Sequence, residues 1–570
     1  MIRSTVISPL RSSKISMAKP IYDVIVIGTG AGGGIAIKTL CDAGLKVCAL
    51  NSGRRLDPEK DFRNHRMPWE MKYRGFGDPR TRIPSQPDFV NTEYVEGAWE
   101  HELVHTTAPG TKWLWPRCSA VGGKTNFWGR SAARFAEIDF QAASLDGVDV
   151  DWPVTYEEMS PYYTRVEKMI GVASTVQHRP SNPDGSYLPP MNLRCFDMIL
   201  QAGARKLGIP YLPDRIAQLT VEFAGHPACH FCGDCTSGCE VGAFFSTPWF
   251  FLPQAEASGN LDLRTNAVAR HILLNAEGKA AGVAYIDRAS RQEYEVRGRA
   301  VVVAASCLET TRILLNSRSS GWPDGLANSS GQLGRNLCDQ MYAGVSGHLP
   351  QLLGQPSFPD NVSDSSIAWM PRWQNLDRPR QERFVRGYSV YPDGGCWEFP
   401  AYYDAIEGFG SSFKREMKRR YPTPVSFMAQ IPSLPSAKNY VELDPEAKDS
   451  LGIPKLRIHF QWGENERKMW EHAKHSCAEV LRASGGVVES VDEEPQIPGY
   501  SQHEIGTCRM GKERKKFVTN QFGQTHDIAN LYLCDASVFV NSTDKPPVLS
   551  ILAFSLRASE HLAEEMRGGD

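Results

Sequence analysis

The 570-residue sequence lacks any apolar run that approaches the roughly 18 consecutive residues of a membrane-spanning helix. It also lacks an excess of either charge, because 63 Lys and Arg face 65 Asp and Glu, and this argues against a dedicated nucleic-acid binder. Its 49 glycines and 38 prolines fall below the roughly 25–30% that marks low-complexity chains. With 41% hydrophobic residues, we expect a soluble globular protein without a membrane span.

Acidic residues are absent from the first twenty positions, which contain Arg3, Arg11, Lys14 and Lys19. The stretch also lacks the apolar segment of a secretory signal and the Arg-Arg pair of a twin-arginine signal. A transit-like peptide is one interpretation. We expect instead a disordered tail over residues 1–20, with Met17 as an alternative start.

The 14 cysteines show no evenly spaced disulfide framework, which favours a reducing compartment. Four of them lie within eleven residues, as Cys229, Cys232, Cys235 and Cys239. This C-x₂-C-x₂-C-x₃-C spacing is the one that bacterial ferredoxins use for iron–sulfur ligation, although Glu240 replaces the usual proline. An iron–sulfur cluster, zinc, disulfides and purely structural thiols all stay open, and zinc is disfavoured because its ligand pairs usually stand further apart.

A βαβ unit is predicted at the front of the chain. Tyr22–Ile27 reads as a buried strand, Ile35–Ala43 has helical character, and Val47–Leu50 reads as a second buried strand. Later segments predict further strands and a final helix. These are Leu261–Val268, Ala280–Ile286, Arg299–Ala305 and Leu531–Leu533, followed by the helix Val548–Met566.

A G-x-G-x-x-G turn joins the first strand to the first helix at residues 28–33. Gly28 permits the tight turn, Gly30 lets the backbone approach a pyrophosphate, and Gly33 allows the helix to pack on the strand. The turn therefore predicts a dinucleotide cofactor whose phosphates lie at the helix N-terminus. Asn51 stands where an acid usually holds the adenosine ribose, so it offers a hydrogen bond without the strengthening charge.

Residues 340–440 show weak periodicity, and we expect them to form the loop-rich wall of a substrate site. The segment is rich in proline, glycine and aromatic residues, among them Trp369, Trp373, Trp397, Tyr402 and Tyr403.

Four stretches, in this order along the chain, resemble the glucose-methanol-choline (GMC) oxidoreductases, a family of FAD enzymes. They are the turn at 28–33, the segment VGGKTNFWG at 121–129, the segment AASCLETTR at 304–312, and HEIGTCRMG at 503–511 with NLYLCDAS at 530–537. Within the family, the tryptophan-containing segment and the cysteine cluster are most similar to bacterial FAD-dependent glucoside 3-dehydrogenase and glucose dehydrogenase catalytic subunits.

The resemblance implies an α/β (α+β) fold with two discontinuous domains. A Rossmann-like FAD-binding domain is expected at 21–135, 225–335 and 495–570, and a sheet-based substrate-binding domain at 136–224 and 336–494. The residues that it places at the cofactor are Gly28, Gly30, Gly33, Asn51, Gly122, Gly123, Asn126, Trp128, Val268, Asp535 and Ala536.

The catalytic base that the resemblance implies is His503, the histidine of the H-x-x-G-T-x-R-M-G motif. A neutral imidazole can accept the hydroxyl proton of an alcohol while hydride passes to the flavin. The family's second catalytic residue, an Asn or His, is replaced here by Pro546, which has no side-chain donor. Lys545 and Asn541 are the candidate substitutes; the alternative is that His503 acts alone or that the substrate is atypical.

The resemblance predicts a dehydrogenase that oxidises a secondary hydroxyl of a sugar or glycoside, C3 being one candidate position. A GMC-type oxidase that uses oxygen and a catalytically impaired electron-transfer subunit are the alternatives. Relatives imply a three-iron cluster on Cys229, Cys235 and Cys239, a small partner subunit and a cytochrome acceptor. The protein is then cytoplasmic, or periplasmic by co-export with its partner.

Overall fold

The computed structural model describes residues 22–62, 73, 78–80, 95, 97–233, 235–356, 366–376, 382–394 and 406–568. The predicted tail at residues 1–20 lies outside the described residues, as do Trp397, Tyr402 and Tyr403.

The elements of the described residues are named here in chain order. The strands are β1 (Tyr22–Ile27), β2 (Val47–Leu50), β3 (His105–Thr107), β4 (Leu212–Pro213), β5 (Leu261–Arg264), β6 (Ala267–Leu274), β7 (Ala280–Asp287), β8 (Glu293–Val303), β9 (Arg335–Cys338), β10 (Gln340–His348), β11 (Ala368–Trp369), β12 (Ser389–Gly394), β13 (Pro424–Pro432), β14 (Tyr440–Lys448), β15 (Pro454–His459), β16 (Val487–Val491), β17 (Ile505–Thr507) and β18 (Leu531–Leu533). The helices are α1 (Ala31–Asp42), α2 (Pro58–Asp61), α3 (Glu137–Phe140), α4 (Ala142–Asp146), α5 (Tyr156–Ile170), α6 (Cys195–Lys206), α7 (Thr247–Phe250), α8 (Leu252–Ala257), α9 (Cys307–Asn316), α10 (Gly410–Arg420), α11 (Glu464–Ala483) and α12 (Val548–Gly568).

A seven-stranded sheet carries the glycine turn. Its parallel part runs β5-β2-β1-β8, with β18 alongside the C-terminal end of β8. The N-terminal half of β8 pairs antiparallel with β7, which pairs with β6. In β1, Ile25 and Ile27 pack into one core while Val24 and Val26 pack into another. Burial on both faces explains the unbroken apolar run, and the predicted βαβ unit is confirmed.

The carboxyl ends of four parallel strands meet at one edge of this sheet. The glycine turn follows β1, Asn51 follows β2, Ala304 follows β8 and Cys534 follows β18. In open α/β sheets, ligands bind in the crevice outside this edge. The topology therefore brings the turn at 28–33, the segment at 304–312 and residues 530–537 toward one place.

A second, antiparallel sheet runs β12-β13-β10-β16 and corrects the expectation of a loop-rich stretch at 340–440. Met341, Ala343 and Val345 alternate along β10 and pack with α11 residues such as Trp470 in one core. Polar residues on the opposite face, such as Gln340, are buried as well. Both faces of β10 are therefore buried. A strand with one buried apolar face and one exposed polar face is easy to predict from sequence, and β10 is not of that kind.

A five-stranded sheet, β17-β9-β14-β15-β3, joins the two predicted domains. The predicted boundary at 335/336 falls within β9, and β17 comes from the third predicted FAD-binding segment. The division into domains remains a prediction. Strands β4 and β11 form a separate antiparallel pair.

Within the part of the chain that the structure describes, none of the helices combines the length and apolar composition that crossing a bilayer requires.

Candidate active site

Two glycines of the turn are required by contacts inside the protein. Gly28 has a φ of 94°, and a Cβ there would lie 2.3 Å from the Ala304 carbonyl oxygen. A Cβ at Gly33 would lie 2.0 Å from the Gly28 carbonyl oxygen. These distances are too short for any side chain, so Gly28 and Gly33 allow the backbone segments at the sheet edge to approach each other.

Gly30 is different, because the space in front of it is open. A Cβ at this position would meet no protein atom closer than the Gly122 carbonyl oxygen at 4.0 Å. The helix α1 begins at the next residue, Ala31, so its first N–H groups point toward this space. A cradle of this kind fits the pyrophosphate of a dinucleotide.

Asn51 braces the turn as well as lining the cavity beside it. Its Oδ1 accepts a hydrogen bond from Thr29 Oγ1 at 2.8 Å, and its Nδ2 donates to the carbonyl oxygens of Gly53 and Ser119. A carboxylate that the sequence analysis missed lines the same cavity: Glu100, which pairs with Arg288 at 2.6 Å. The anionic group that is absent at Asn51 is therefore present nearby.

The segment at 121–129 packs against the turn. The Gly122 N–H donates to Thr29 Oγ1 at 2.9 Å, and Asn126 Nδ2 donates to the carbonyl oxygens of Val121 and Gly123. Gly122 and Asn126 thus hold the segment in place through hydrogen bonds without lining the cavity themselves.

One cavity contains most of the residues predicted to bind the cofactor, together with the predicted base. Those that line it are Gly28, Gly30, Asn51, Gly123, Trp128, Val268, Asp535, Ala536 and His503. Gly33, Gly122 and Asn126 support its wall through the contacts above. The structure therefore brings together the N-terminal turn and a histidine from the C-terminal motif.

His503 is held through its ring and is neutral. Its Nδ1 lies 2.6 Å from Gln340 Oε1, a contact that the motif could not reveal because Gln340 lies in β10. Burial, and secondarily the positive charge of Lys124, lowers the pKa of His503 to about 3. The imidazole is consequently unprotonated at neutral pH and able to accept a proton.

Lys545 does not reach this cavity, contrary to one of the sequence-based alternatives. Its Nζ is fully buried between Asp139 Oδ2 at 2.9 Å and Asp544 Oδ1 at 2.8 Å. Asn541 is also buried, and both polar atoms of its amide lack a hydrogen-bond partner in the described structure. Neither proposed substitute for the residue that Pro546 replaces lines the cavity; of the two, only Asn541 has polar side-chain atoms without a hydrogen-bond partner among the described residues.

The cysteine loop is not arranged as a metal centre. Cys229 Sγ accepts hydrogen bonds from Gln218 Nε2 and the Phe231 N–H, and Cys239 Sγ accepts one from the Ala243 N–H. Across the described residues, which omit Asp234 of this loop, no group of three or more His, Cys, Asp or Glu side chains is placed to hold a metal ion. The described structure gives no support to an iron–sulfur cluster, which remains a prediction from the cysteine spacing.

Comparison with known proteins identifies the family. Two family models match, both described as GMC oxidoreductase, over residues 23–342 and 435–555. The chain is 30% identical to 2-methyl-1,2-propanediol dehydrogenase of Mycolicibacterium austroafricanum, with 95% of each chain covered. It is 26% identical to the fructose dehydrogenase large subunit of Gluconobacter japonicus, covering 96% of this chain and 98% of that one.

A solved structure shares the fold. Pyridoxine 4-oxidase from Mesorbium loti superposes with a TM-score of 0.60 at 16% identity, covering 95% of this chain and 99% of that one. The chain belongs to the GMC oxidoreductase family. It is accordingly an FAD-dependent oxidoreductase that acts on CH–OH groups, and the Gly28–Gly33 turn fits the FAD pyrophosphate.

Alanine substitutions at Gly28 and Gly30 are expected to affect different properties, apoprotein stability at Gly28 and FAD binding at Gly30. Gly30→Ala leaves the apoprotein's stability within about 0.5 kcal/mol, because its methyl group has room. It weakens FAD binding about tenfold, because the methyl group enters the space where the pyrophosphate lies. Gly28→Ala destabilises the apoprotein by roughly 1–3 kcal/mol, because its backbone has a positive φ. Thermal unfolding of apoprotein and fluorescence titration with FAD measure both; equal FAD affinity in Gly30→Ala and wild type would contradict the assignment.

Lys545→Met is expected to lower the free energy of unfolding by about 3–5 kcal/mol, because it leaves two buried carboxylates without their cation. Denaturant unfolding measures the loss. The matched control is Lys468→Met, whose ion pair with Glu464 is exposed and whose change should stay within about 0.5 kcal/mol. Similar losses in the two variants would show that the buried pairs contribute no more than exposed ones.

Proposed function

We propose that the protein is a dehydrogenase that oxidises a secondary hydroxyl of a sugar or glycoside and passes the electrons to an acceptor other than oxygen. The observation that carries the proposal is the neutral His503 in the cavity that the FAD turn lines. FAD, when bound, supplies the acceptor for the hydride of the substrate carbon. His503 takes the hydroxyl proton, so the alcohol loses one hydride and one proton and becomes a ketone.

A polar sheet face beside His503 supports a polyhydroxylated substrate. Gln340 on β10, Gln430 on β13 and Ser389 on β12 lie on one face, because Tyr342 pairs with Gln430 and Gln430 pairs with Ser389. Gln340 and Ser389 both bond to backbone carbonyls of residues 543–545, so this face meets that segment. The buried Gln430 Oε1 has no partner within the described residues, and Gln340 links this face to His503, which lines the cavity.

Asn541 is the group that we assign to the substrate hydroxyl in place of the residue lost at Pro546. Its amide is buried, with its donor and acceptor both unpartnered in the described structure. An unpartnered buried amide costs free energy, and a bound hydroxyl would satisfy one or both atoms.

The electron acceptor and the oxidised carbon follow from the sequence resemblance. The relatives of this chain include proteins named dehydrogenases and proteins named oxidases, so their names favour neither acceptor. C3 oxidation, a small partner subunit and a cytochrome come from the sequence resemblance. The reaction as proposed does not depend on the cysteine loop.

Anaerobic mixing with glucosides, free hexoses and sugar acids should bleach the absorbance of the bound flavin for at least one of these classes. His503→Ala should slow that bleaching by roughly 10²–10⁴, because the proton then has no base. His475→Ala, an exposed histidine of α11, serves as the control and should not alter the rate.

In air and with an added one-electron acceptor such as ferricyanide, turnover should yield product without a matching amount of hydrogen peroxide. Peroxide equal to product would favour the oxidase alternative instead. Flavin that no carbohydrate reduces would contradict the substrate class, and a loss below about tenfold in His503→Ala would remove that residue as base.

The resemblance to glucose dehydrogenase subunits implies about three iron atoms per chain after anaerobic reconstitution, with the loss of that iron in Cys239→Ser. Iron, acid-labile sulfide and visible absorbance of the purified protein provide the measurement. Cys195→Ser, an exposed cysteine outside the loop, is the control. Iron below about one equivalent per chain would contradict the cluster and leave the flavin reaction as proposed.

A further inference from the structure

Gln340 is buried at the start of β10 and uses both ends of its side-chain amide. Its Nε2 donates to the Thr543 carbonyl oxygen at 2.6 Å and to the Lys545 carbonyl oxygen at 3.0 Å. Both are backbone carbonyls and can only accept. The reversed orientation of the amide would set its oxygen against two carbonyl oxygens, so the nitrogen must face them.

The oxygen of the same amide consequently faces His503, 2.6 Å from its Nδ1. An amide oxygen only accepts hydrogen bonds, so Nδ1 must carry the hydrogen. Because a neutral imidazole holds one ring hydrogen, the Nε2 of His503 is left as the acceptor.

The carbonyls that orient Gln340 belong to a fixed backbone segment. Ser389 Oγ donates to the Asp544 carbonyl oxygen, and Lys545 Nζ is held by Asp139 and by the Asp544 carboxylate. Since these contacts are all buried, the segment offers Gln340 a rigid pair of acceptors.

The residue before Gln340 holds the backbone of the base. Asp339 accepts hydrogen bonds from the Gly499 N–H at 2.6 Å and from Ser501 Oγ. Ser501 Oγ in turn accepts from the His503 N–H at 3.3 Å. Adjacent residues thus fix both the ring and the main chain of His503.

We propose that Gln340 is the positioning residue that sets the tautomer of His503, keeping Nδ1 protonated and Nε2 free to accept the substrate proton. The proposal rests on the proposed function, in which His503 is the base. It gives a role to a glutamine that no motif marks. It also explains how the His503 ring can be oriented as a proton acceptor without a carboxylate bonded to Nδ1. The charged group nearest the ring is Lys124. Glu504 pairs with Lys124, and Asp339 interacts with Glu504.

Two substitutions of Gln340 separate its roles. Gln340→Met keeps the length of the side chain but removes the acceptor, so both tautomers form and flavin reduction slows roughly tenfold to a hundredfold. Gln340→Glu keeps an acceptor for Nδ1 but places its second oxygen against the Thr543 and Lys545 carbonyl oxygens; when that carboxylate is ionised, its negative charge raises the pKa of His503.

The pH dependence of flavin reduction is the decisive measurement. In the wild type, His503 stays neutral well below pH 5, so the rate is flat from pH 5 to 8. In Gln340→Glu, protonation of His503 at the raised pKa removes the base, so the rate falls about tenfold for each pH unit below it. Flavin content and thermal unfolding establish that each variant is loaded and folded.

Gln374→Met is the matched control, because it makes the same substitution at another buried glutamine whose Oε1 accepts from the Tyr388 N–H. It should keep the wild-type pH profile. A folded, flavin-loaded Gln340→Met with the wild-type rate would overturn the proposal, and a Gln340→Glu profile that falls at a higher pH than the wild-type profile would support it. If His503→Ala keeps its rate, the proposed function fails instead, so the two failures can be told apart.

Discussion

The structure depends on close backbone contacts at the carboxyl edge of the parallel sheet, which exist because three glycines have no side chain. A Cβ at Gly28 would meet the end of β8, one at Gly33 would meet Gly28 itself, and one at Gly32 would lie 1.7 Å from the Cys534 carbonyl oxygen after β18. Gly32 occupies a variable position of the motif, yet here it is as constrained as the others. These contacts set the distance between β1, β8, β18 and α1, and so define the cavity that the glycine turn and His503 both line.

His503, the proposed base, is hydrogen-bonded through its ring to an uncharged side chain, although Lys124 lies near enough to lower its pKa. The buried cation Lys545 is neutralised by two carboxylates, and the ring of His503 meets an uncharged amide rather than an acid. A carboxylate on Nδ1 would favour the imidazolium and hence raise the pKa of the base. Gln340 avoids that, because it orders the ring without adding charge. The arrangement suits a base that must be unprotonated before the substrate arrives.

The sequence predicted features that depend on local pattern and missed those that depend on pairing between distant segments. Gly28–Gly33 and the apolar strands β1 and β2 are recognisable because a turn and a doubly buried strand restrict residue type locally. Gln340 could not be found, because its importance comes from pairing with His503 and with the backbone near Lys545. Lys545 was proposed at the substrate because of its place in the motif, but its rotamer is decided by Asp139, which the motif does not contain.

The two departures from the family pattern, Asn51 and Pro546, motivated the idea of an impaired enzyme, and the structure weakens that idea. Beside Asn51, the carboxylate of Glu100 lines the same cavity. Near Pro546, the amide of Asn541 is buried with its polar atoms unpartnered among the described residues. A polar group thus accompanies each departure, in the cavity for Asn51 and in the preceding segment for Pro546. Neither departure by itself marks the chain as impaired, because each concerns one residue of a site that is otherwise assembled.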